Sequence, residues 1–352
     1  MEGLQQIYIN AISMITPVGA NLSMTSAAIR AGRNVYRESS VLGNNLALLK
    51  IAPVPISNDD LWIPNIPPER WLYRQQRSQR MLGLAIAALN EILPSCPDTA
   101  LPLFLAGPES VHSTAIDGYF LSLISMAFPN RIDHQSSRLI ATGRPVGLEA
   151  VDLAYRYLSQ TGATSVLVGG VDSLIDLRTL GALASEARIS SLGITDGFTP
   201  GEGAAFILLS ARKNAESFAV VREPGIASES GHRYSKEPYR GEGMANAFRQ
   251  ALNNYNGPPV DTIFSAMNGE SFGTKEHGVA VIRNQQHLSP TFKLEHPADC
   301  FGDLGAAIGP ILIGLAANDL RSKRTQRTAL VCCSAEQETR AACALTTTHL
   351  TR

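Results

Sequence analysis

No excess of either charge marks this chain: 30 Lys and Arg face 31 Asp and Glu, a net charge of -1. Without a clustered basic stripe little is available to neutralise phosphates, which argues against nucleic acid as the principal partner. Long apolar runs are missing too. The longest, residues 304–317, is interrupted by Gly305, Gly309, Pro310 and Gly314. It falls short of the roughly 20 residues that a bilayer requires, so no membrane partner is expected. Residues 1–6 carry neither a basic region nor an apolar stretch, so no secretory signal is expected and the cytoplasm is the expected location. Cysteine is scarce, with five residues and no Cys-x-x-Cys pair. Cys332 and Cys333 are adjacent in a strand-like run and point to opposite faces, so they cannot share one metal. Neither a disulfide framework nor a metal site is expected, only buried reduced thiols.

What is present is an ordinary globular composition. The 352 residues are 44% hydrophobic and 17% charged, enough for a large core and two domain-sized units. Residues 7–15 alternate as a strand does. The turn Thr16-Pro17-Val18-Gly19 leads to a helix over 23–31, closed by Gly32, which tolerates the left-handed conformation of a helix end. Residues 34–76 are polar, contain proline, and read as an irregular excursion over the core. Helical apolar periods cover 77–93 and 113–128, with a buried-strand run at 101–106 between them. A helix over 145–160 has Pro145 in its first turn and Gly162 past its end, and the β-branched strand 165–168 follows. Strand 206–209 closes the first unit. The second starts near Arg212 and holds helices over 243–255 and 304–320 and strands over 262–266 and 328–334. This alternation predicts α/β architecture with largely parallel sheets, in domains of 1–211 and 212–352.

Three stretches carry a family resemblance. Asp196-Gly197-Phe198-Thr199-Pro200-Gly201-Glu202-Gly203-Ala204-Ala205 resembles the Asp-Gly-Phe-Val-Pro-Gly-Glu-Gly-Ala-Ala run of the β-ketoacyl synthases. Residues 140–150, followed by Gly169-Gly170-Val171-Asp172-Ser173, have the spacing of that family's Ala-Cys-Ala-Ser-Gly nucleophile turn and its next strand. Gly305-Ala306-Ala307 resembles the start of the helix behind the second catalytic histidine. The resemblance implies the thiolase fold, two similar halves in a five-layered αβαβα sandwich, and a homodimer formed through the N-terminal half.

The same alignment marks what has changed. Arg144 stands where the cysteine would be. A guanidinium stays protonated and presents only donors, so it cannot attack a thioester. A cation also opposes the dipole of a helix start, so Arg144 is expected to turn off the axis or pair with an acid. Asn268 takes the place of the first histidine and Gly302 that of the second. Glu270 and Phe272 replace the two threonines that contact pantetheine, and Glu336 lies in the run 334–338 that replaces a glycine-rich oxyanion loop. Glu270, Phe272 and Glu336 are therefore expected to line the former pantetheine and acyl pocket and to hinder a phosphopantetheine arm. Lys293 is the nearest match to the family's lysine.

Cys300, with His296, Asp299 and Asp303, is where relocated chemistry would sit. The plainer expectation is a core thiol, a surface imidazole, and an Asp303 that caps the next helix. Glu202 is expected to satisfy backbone amides in its turn. His232, Arg233, Tyr234 and Lys236 are expected in a polar surface loop and His277 in solvent. The basic run from Arg321 through Lys323 and Arg324 to Arg327 reads as a charged loop with room for an anion.

Acyl transfer needs a nucleophile and oxyanion donors together. The expected function is therefore non-catalytic binding without a cofactor. Short degenerate ketosynthase-like chains resemble those encoded beside PAAR-bearing toxins of the bacterial type VI secretion system. That likeness implies an effector-loading chaperone or adaptor whose partner is the effector or the spike. One alternative is a silent, chain-length-factor-like subunit that partners an acyl carrier protein or synthase. Another is a 3-oxoacyl-ACP synthase-type acyltransferase with relocated catalytic residues.

Overall fold

Local signals set most element boundaries. β1 (Ile7–Ile15) leads to α1 (Leu22–Arg30), whose first turn is capped by the Asn21 side chain accepting from the Met24 amide. β2 (Arg37–Leu42) and β3 (Leu48–Ile51) form a small hairpin, so the excursion expected to be irregular contains a two-stranded sheet. α2 (Gln76–Ile92), β4 (Leu103–Ala106), α3 (Gly118–Ala127), β5 (Arg138–Ile140), α4 (Val146–Thr161) and β6 (Ser165–Ser173) follow. α3 starts later than its apolar period predicts because Asp117 caps it there. α5 (Leu177–Ser185) and β7 (Glu202–Ser210) come next, then β8 (Ala219–Val221), β9 (Gly225–Ser228), α6 (Glu242–Ala251) and β10 (Val260–Ser265). The chain ends through α7 (Ser271–Arg283), β11 (Leu288–Glu295), α8 (Ala298–Phe301), α9 (Ile308–Arg321), β12 (Thr328–Ser334) and β13 (Thr339–Thr346). The computed structural model describes residues 6–43, 46–253, 255 and 257–348. Residues 1–5, on which the leader expectation largely rests, lie outside the described residues.

The sheet order is β11-β10-β12-β13-β8-β1-β7-β6-β4-β5, with β9 paired to β13. Outwards from the β1–β8 junction, each side repeats one pattern: first strand, fifth, fourth, second, third. β4 is parallel to β5 and β6, and β10 is parallel to β11 and β12. The sheet is nevertheless mixed, a correction to the largely parallel expectation. β7 runs antiparallel to β1 and β6, and β13 antiparallel to β12. Only residues 335–338 separate β12 from β13, too few for a parallel crossover.

Three apolar clusters sort the layers. One face of β1, β6 and β7 and one face of β12 and β13 share a core with α4 and α9. The opposite face of the first strands packs on α2 and α3, and the opposite face of the second strands on α6. α4 and α9 cross closely: a Cβ on Gly147 would lie 2.3 Å from the Pro310 ring, so only glycine permits the contact. α9 begins at Ile308, preceded by one 3-10 turn, Gly305–Ala307, rather than running unbroken from 304. Cys332 and Cys333 face opposite cores, as the strand period requires. Among the described residues no helix is long and apolar enough to cross a membrane, and no group of three or more His, Cys, Asp or Glu could hold a metal ion.

Candidate functional site

α4 begins where β4 and β6 end, beside the turns before α7 and after β12. Arg144 lies one residue before the α4 N-cap, Pro145. It turns off the helix axis onto two acids. Its Nε donates to Asp303 Oδ2 at 2.7 Å, its Nη1 to Glu336 Oε1 at 2.8 Å, and its Nη2 also to Asp303. Burial works against its charge, but Asp303 and Glu336 outweigh burial and hold the guanidinium well above the ordinary arginine range.

A second arginine completes the cluster. α5 ends at Ser185, and Ala187 takes a left-handed φ of 53°, uncommon for a residue with a Cβ. This turn delivers Arg188 inward, where it is 4% exposed. Arg188 grips Glu270 through two parallel bonds, Nε to Oε1 at 2.8 Å and Nη2 to Oε2 at 2.7 Å. It reaches both oxygens of Glu336 at 2.9 and 3.0 Å. Such forked pairs are strong and geometrically specific. Burial would raise the Glu336 carboxyl, but Arg144 and Arg188 hold it well below the usual carboxylate range. Arg233 closes the outer side, 3.1 Å from Glu270 and 3.6 Å from Glu336, with its guanidinium 5.2 Å from the Phe272 ring centre. Phe198 lies beneath, 5.9 Å from the Arg144 guanidinium and 5.4 Å from that of Arg188.

Three guanidiniums thus face three buried carboxylates, with Glu186 at the rim 3.7 Å from Arg188, and the spare capacity is taken up. Asn268 Nδ2 donates to Asp303 at 2.8 Å and to Glu270 at 3.2 Å. Asp303 Oδ1 accepts from the Gly305 amide at 3.0 Å, the role expected of a residue capping the next turn. Glu109 accepts from the Glu336 amide at 3.3 Å. Burial, with Glu336 adding to it and Arg144 opposing, pushes the Glu109 carboxyl up to about 7. Tyr234 accepts from Arg188 Nη1 at 3.0 Å and donates to Glu186 at 2.7 Å, with His112 at 2.8 Å. Arg233 and Tyr234 therefore belong to the cluster's rim and not to an independent surface loop, while Lys236 is exposed.

The remaining space is small. One cavity of about 50 Å³ lies between Arg144, Asn268, Phe272 and Glu336 and extends to His277 and Cys332; a second, about 40 Å³, lies between Glu109, His112, Arg144 and Phe198. Pockets that hold drug-sized ligands measure about 300–1,000 Å³. Phe272 is half-buried and Glu270 is turned into the ion cluster. Gly302 has a φ of 76°, and a Cβ there would lie 2.4 Å from the Thr199 carbonyl oxygen. No side chain fits without displacing backbone.

The arrangement holds charge and offers no free nucleophile. Cys333, behind Arg144, is 1% exposed, and burial raises its thiol well above the ordinary value. Cys300 lies in α8, 6% exposed, its thiol raised by burial and further by Asp299 and Glu295. The His296 ring faces Asp299 at 3.0 Å. Cys300 therefore has none of the electropositive surroundings that make a reactive thiolate. Lys293 is exposed on β11, outside the cluster. In the basic run, Arg321 pairs with Glu216, Lys323 with Asp319 and Arg327 with Asp261. His277, expected in solvent, is 8% exposed: the apolar side of α7 is short and two of its glycines mask the period.

The neighbouring turns are braced separately. Asp172 accepts from Arg77 at 2.8 Å, from the Ser173 amide at 2.8 Å and from the Ala306 amide at 2.9 Å. Glu202 accepts from Arg80 at 2.7 Å, from the Val54 amide at 3.1 Å and from the Ser173 hydroxyl at 3.0 Å. Glu202 so serves the packing of the turn, although its amide partner comes from outside that turn.

Arg188 and Glu109 carry no signal in the sequence reading. Each follows a short strand or helix end and reaches its partners only through the fold.

No family model matches the chain. Solved structures do. The chain is similar to the ketosynthase from module 6 of the bacillaene synthase from Bacillus subtilis 168, with a TM-score of 0.79 and 14% identity, over 98% of this chain and 72% of that one. Against the ishigamide ketosynthase/chain length factor the TM-score is 0.76 at 14% identity, over 99% of this chain and 100% of that one. A β-ketoacyl synthase from Burkholderia phymatum STM815 gives 0.72 at 14% identity, over 98% of this chain and 100% of that one. At this identity the likeness establishes the fold alone: the chain has the ketosynthase-like thiolase fold.

Proposed function

We propose that this protein is a non-catalytic member of the thiolase fold that works by binding a protein partner. The observation that carries the reading is the cluster of Arg144, Arg188 and Arg233 with Glu270, Asp303 and Glu336. It fills the place where the family resemblance puts a thiolate and two imidazoles, and its members neutralise one another. A buried charge network of this kind is expensive to desolvate and persists when every donor and acceptor is met. The finer architecture proposed is two similar halves, 1–211 and 212–352, in a five-layered αβαβα sandwich, supported by the repeated strand order. A homodimer through the N-terminal half is part of the proposal; β5 is the open edge strand on that side.

The proposed partner is a type VI secretion effector or spike component, with this chain acting in the cytoplasm as a loading chaperone or adaptor. This finer step rests on family analogy. A second reading makes the chain a silent partner of an acyl-chain synthase or acyl carrier protein. The specific observation in its favour is the end-to-end match to a ketosynthase/chain length factor structure.

Affinity capture of the tagged protein from its native cells, with partners identified by mass spectrometry, separates the two. A PAAR-bearing toxin or its spike supports the adaptor, and a synthase or acyl carrier protein supports the silent subunit. Acyl-enzyme formation on incubation with acyl-carrier-protein thioesters would overturn both, including a form lost in Cys300→Ala.

A further inference from the structure

A separate cavity of about 520 Å³ lies between β2, the start of α2 and the start of α5, and shares no lining residue with the two cavities beside the ion cluster. Its volume is in the range of small-molecule sites, about 300–1,000 Å³.

Four arginines from three elements line it. Arg77 and Arg80 are already committed. Arg77 pairs with Asp172 and Asp176, and Arg80 with Glu202 and the carbonyls of Val54 and Ile56. Arg37, on β2, and Arg178, in the first turn of α5, are exposed and have no acidic partner among the described residues. The Arg178 guanidinium donates to the Thr114 hydroxyl at 3.2 Å. Against the four cations the lining holds two carboxylates, Asp176 and Glu202. With Asp172 counted behind Arg77, one positive charge is still left over. Asp59 and Asp60 follow Asn58 but do not line the cavity. The first turn of α2 borders the same space with no side-chain cap and no acidic residue, and the positive end of its dipole adds to the field.

Much of the remaining wall is aliphatic. Val54 is buried, Ile56 and Ile175 are half-buried, and Leu177 is 74% exposed. Water can solvate the two exposed guanidiniums, but it gains nothing from Ile175 and Leu177. An anion with a short carbon chain answers both, because covering apolar surface is itself favourable.

We infer that this cavity binds a small aliphatic anion, a carboxylate or a phosphate monoester, with its charged head on Arg37 and Arg178 and its chain along Ile56, Ile175 and Leu177. Guanidiniums recognise both heads through paired N–H donors. Such a ligand would bind independently of the protein partner proposed above.

The test is calorimetric titration of the full chain with hexanoate and with hexyl phosphate, beside hexanol and hexylammonium. At least one anion should bind saturably, more weakly as salt rises, and the two uncharged or cationic controls should not. The tighter of the two anions identifies the head. Arg37→Gln combined with Arg178→Gln should weaken binding by about tenfold or more. Leu177→Glu puts a like charge at the mouth and should abolish it. All three positions are exposed, so these variants should keep the wild-type Tm. Absence of saturable binding by either anion overturns the proposal. So does hexanol that binds as well as hexanoate, or binding that the double arginine variant leaves unchanged.

Discussion

The bracing of the packing turns and the bracing of the central cluster differ in kind. Asp172 and Glu202 each take one arginine and fill the rest of their capacity with backbone amides and the Ser173 amide or hydroxyl. Each ties a turn to a neighbouring element, and each lies in a run that resembles a family motif. Asp303, Glu270 and Glu336 instead share Arg144, Arg188 and Arg233. The arginines come from the turn before α4, the end of α5 and the stretch between β9 and α6, and the acids from the turns after β10, α8 and β12. The comparison teaches that turns fixed by backbone amides can frame a space filled by charges that satisfy one another.

The largest expected effect comes from breaking the shared cluster. Arg188→Met leaves Glu270 and Glu336 buried with fewer cations, and should cost about 3–5 kcal/mol of stability in urea unfolding. A loss below about 1 kcal/mol would mean that the cluster is solvated and not a buried unit. Gly302→Ala tests whether the turn before α9 can carry any side chain at this position. The left-handed backbone and the nearby Thr199 carbonyl predict a loss of about 1–3 kcal/mol from strain alone, seen as a lower Tm. A neutral outcome would mean that the backbone there relaxes around a side chain.

The smallest effect is one of pH. The Glu109 carboxyl holds its proton up to about 7 in the native state, against an ordinary value of 4.5. Between those values the unfolded chain has released a proton that the native chain keeps, so this group lowers stability as pH rises through the window. Glu109→Gln should therefore gain about 1–2 kcal/mol at pH 8, after allowance for partial exposure, and nothing below pH 4.5. An equal gain at both pH values would assign the effect to packing.

Much of the fold was legible because its signals are local. Pro145 and Gly162 bound α4 within a residue of the periodic reading, and strand β12 matches its predicted bounds. α7, β11 and β13 are not legible as elements in the sequence. α7 carries Gly273 and Gly278, β11 is an exposed edge strand with Pro290 and Lys293, and β13 is largely alanine and threonine beside one arginine. None of the three shows the apolar period by which a helix or strand is recognised. In the site, Arg144, Asn268, Glu270, Phe272 and Glu336 stand out by their position in the sequence. Arg188 gives no such signal, and Arg233 and His277 read as surface residues. An arginine in a loop reads as solvated until the fold supplies two carboxylates within 3 Å.

The sequence by itself determined the alternation of strands and helices, the turns that must be glycine, and the residue types at Arg144, Asn268, Glu270 and Glu336. Those follow from backbone sterics and side-chain chemistry, which act over a few residues. Only the tertiary structure decided that the charges converge, that three arginines share the buried carboxylates among them, and that His277 is sealed beside an adjacent cavity. Coulomb attraction and desolvation depend on distance and burial in space, and the partners of Arg188 lie 82 and 148 residues away along the chain.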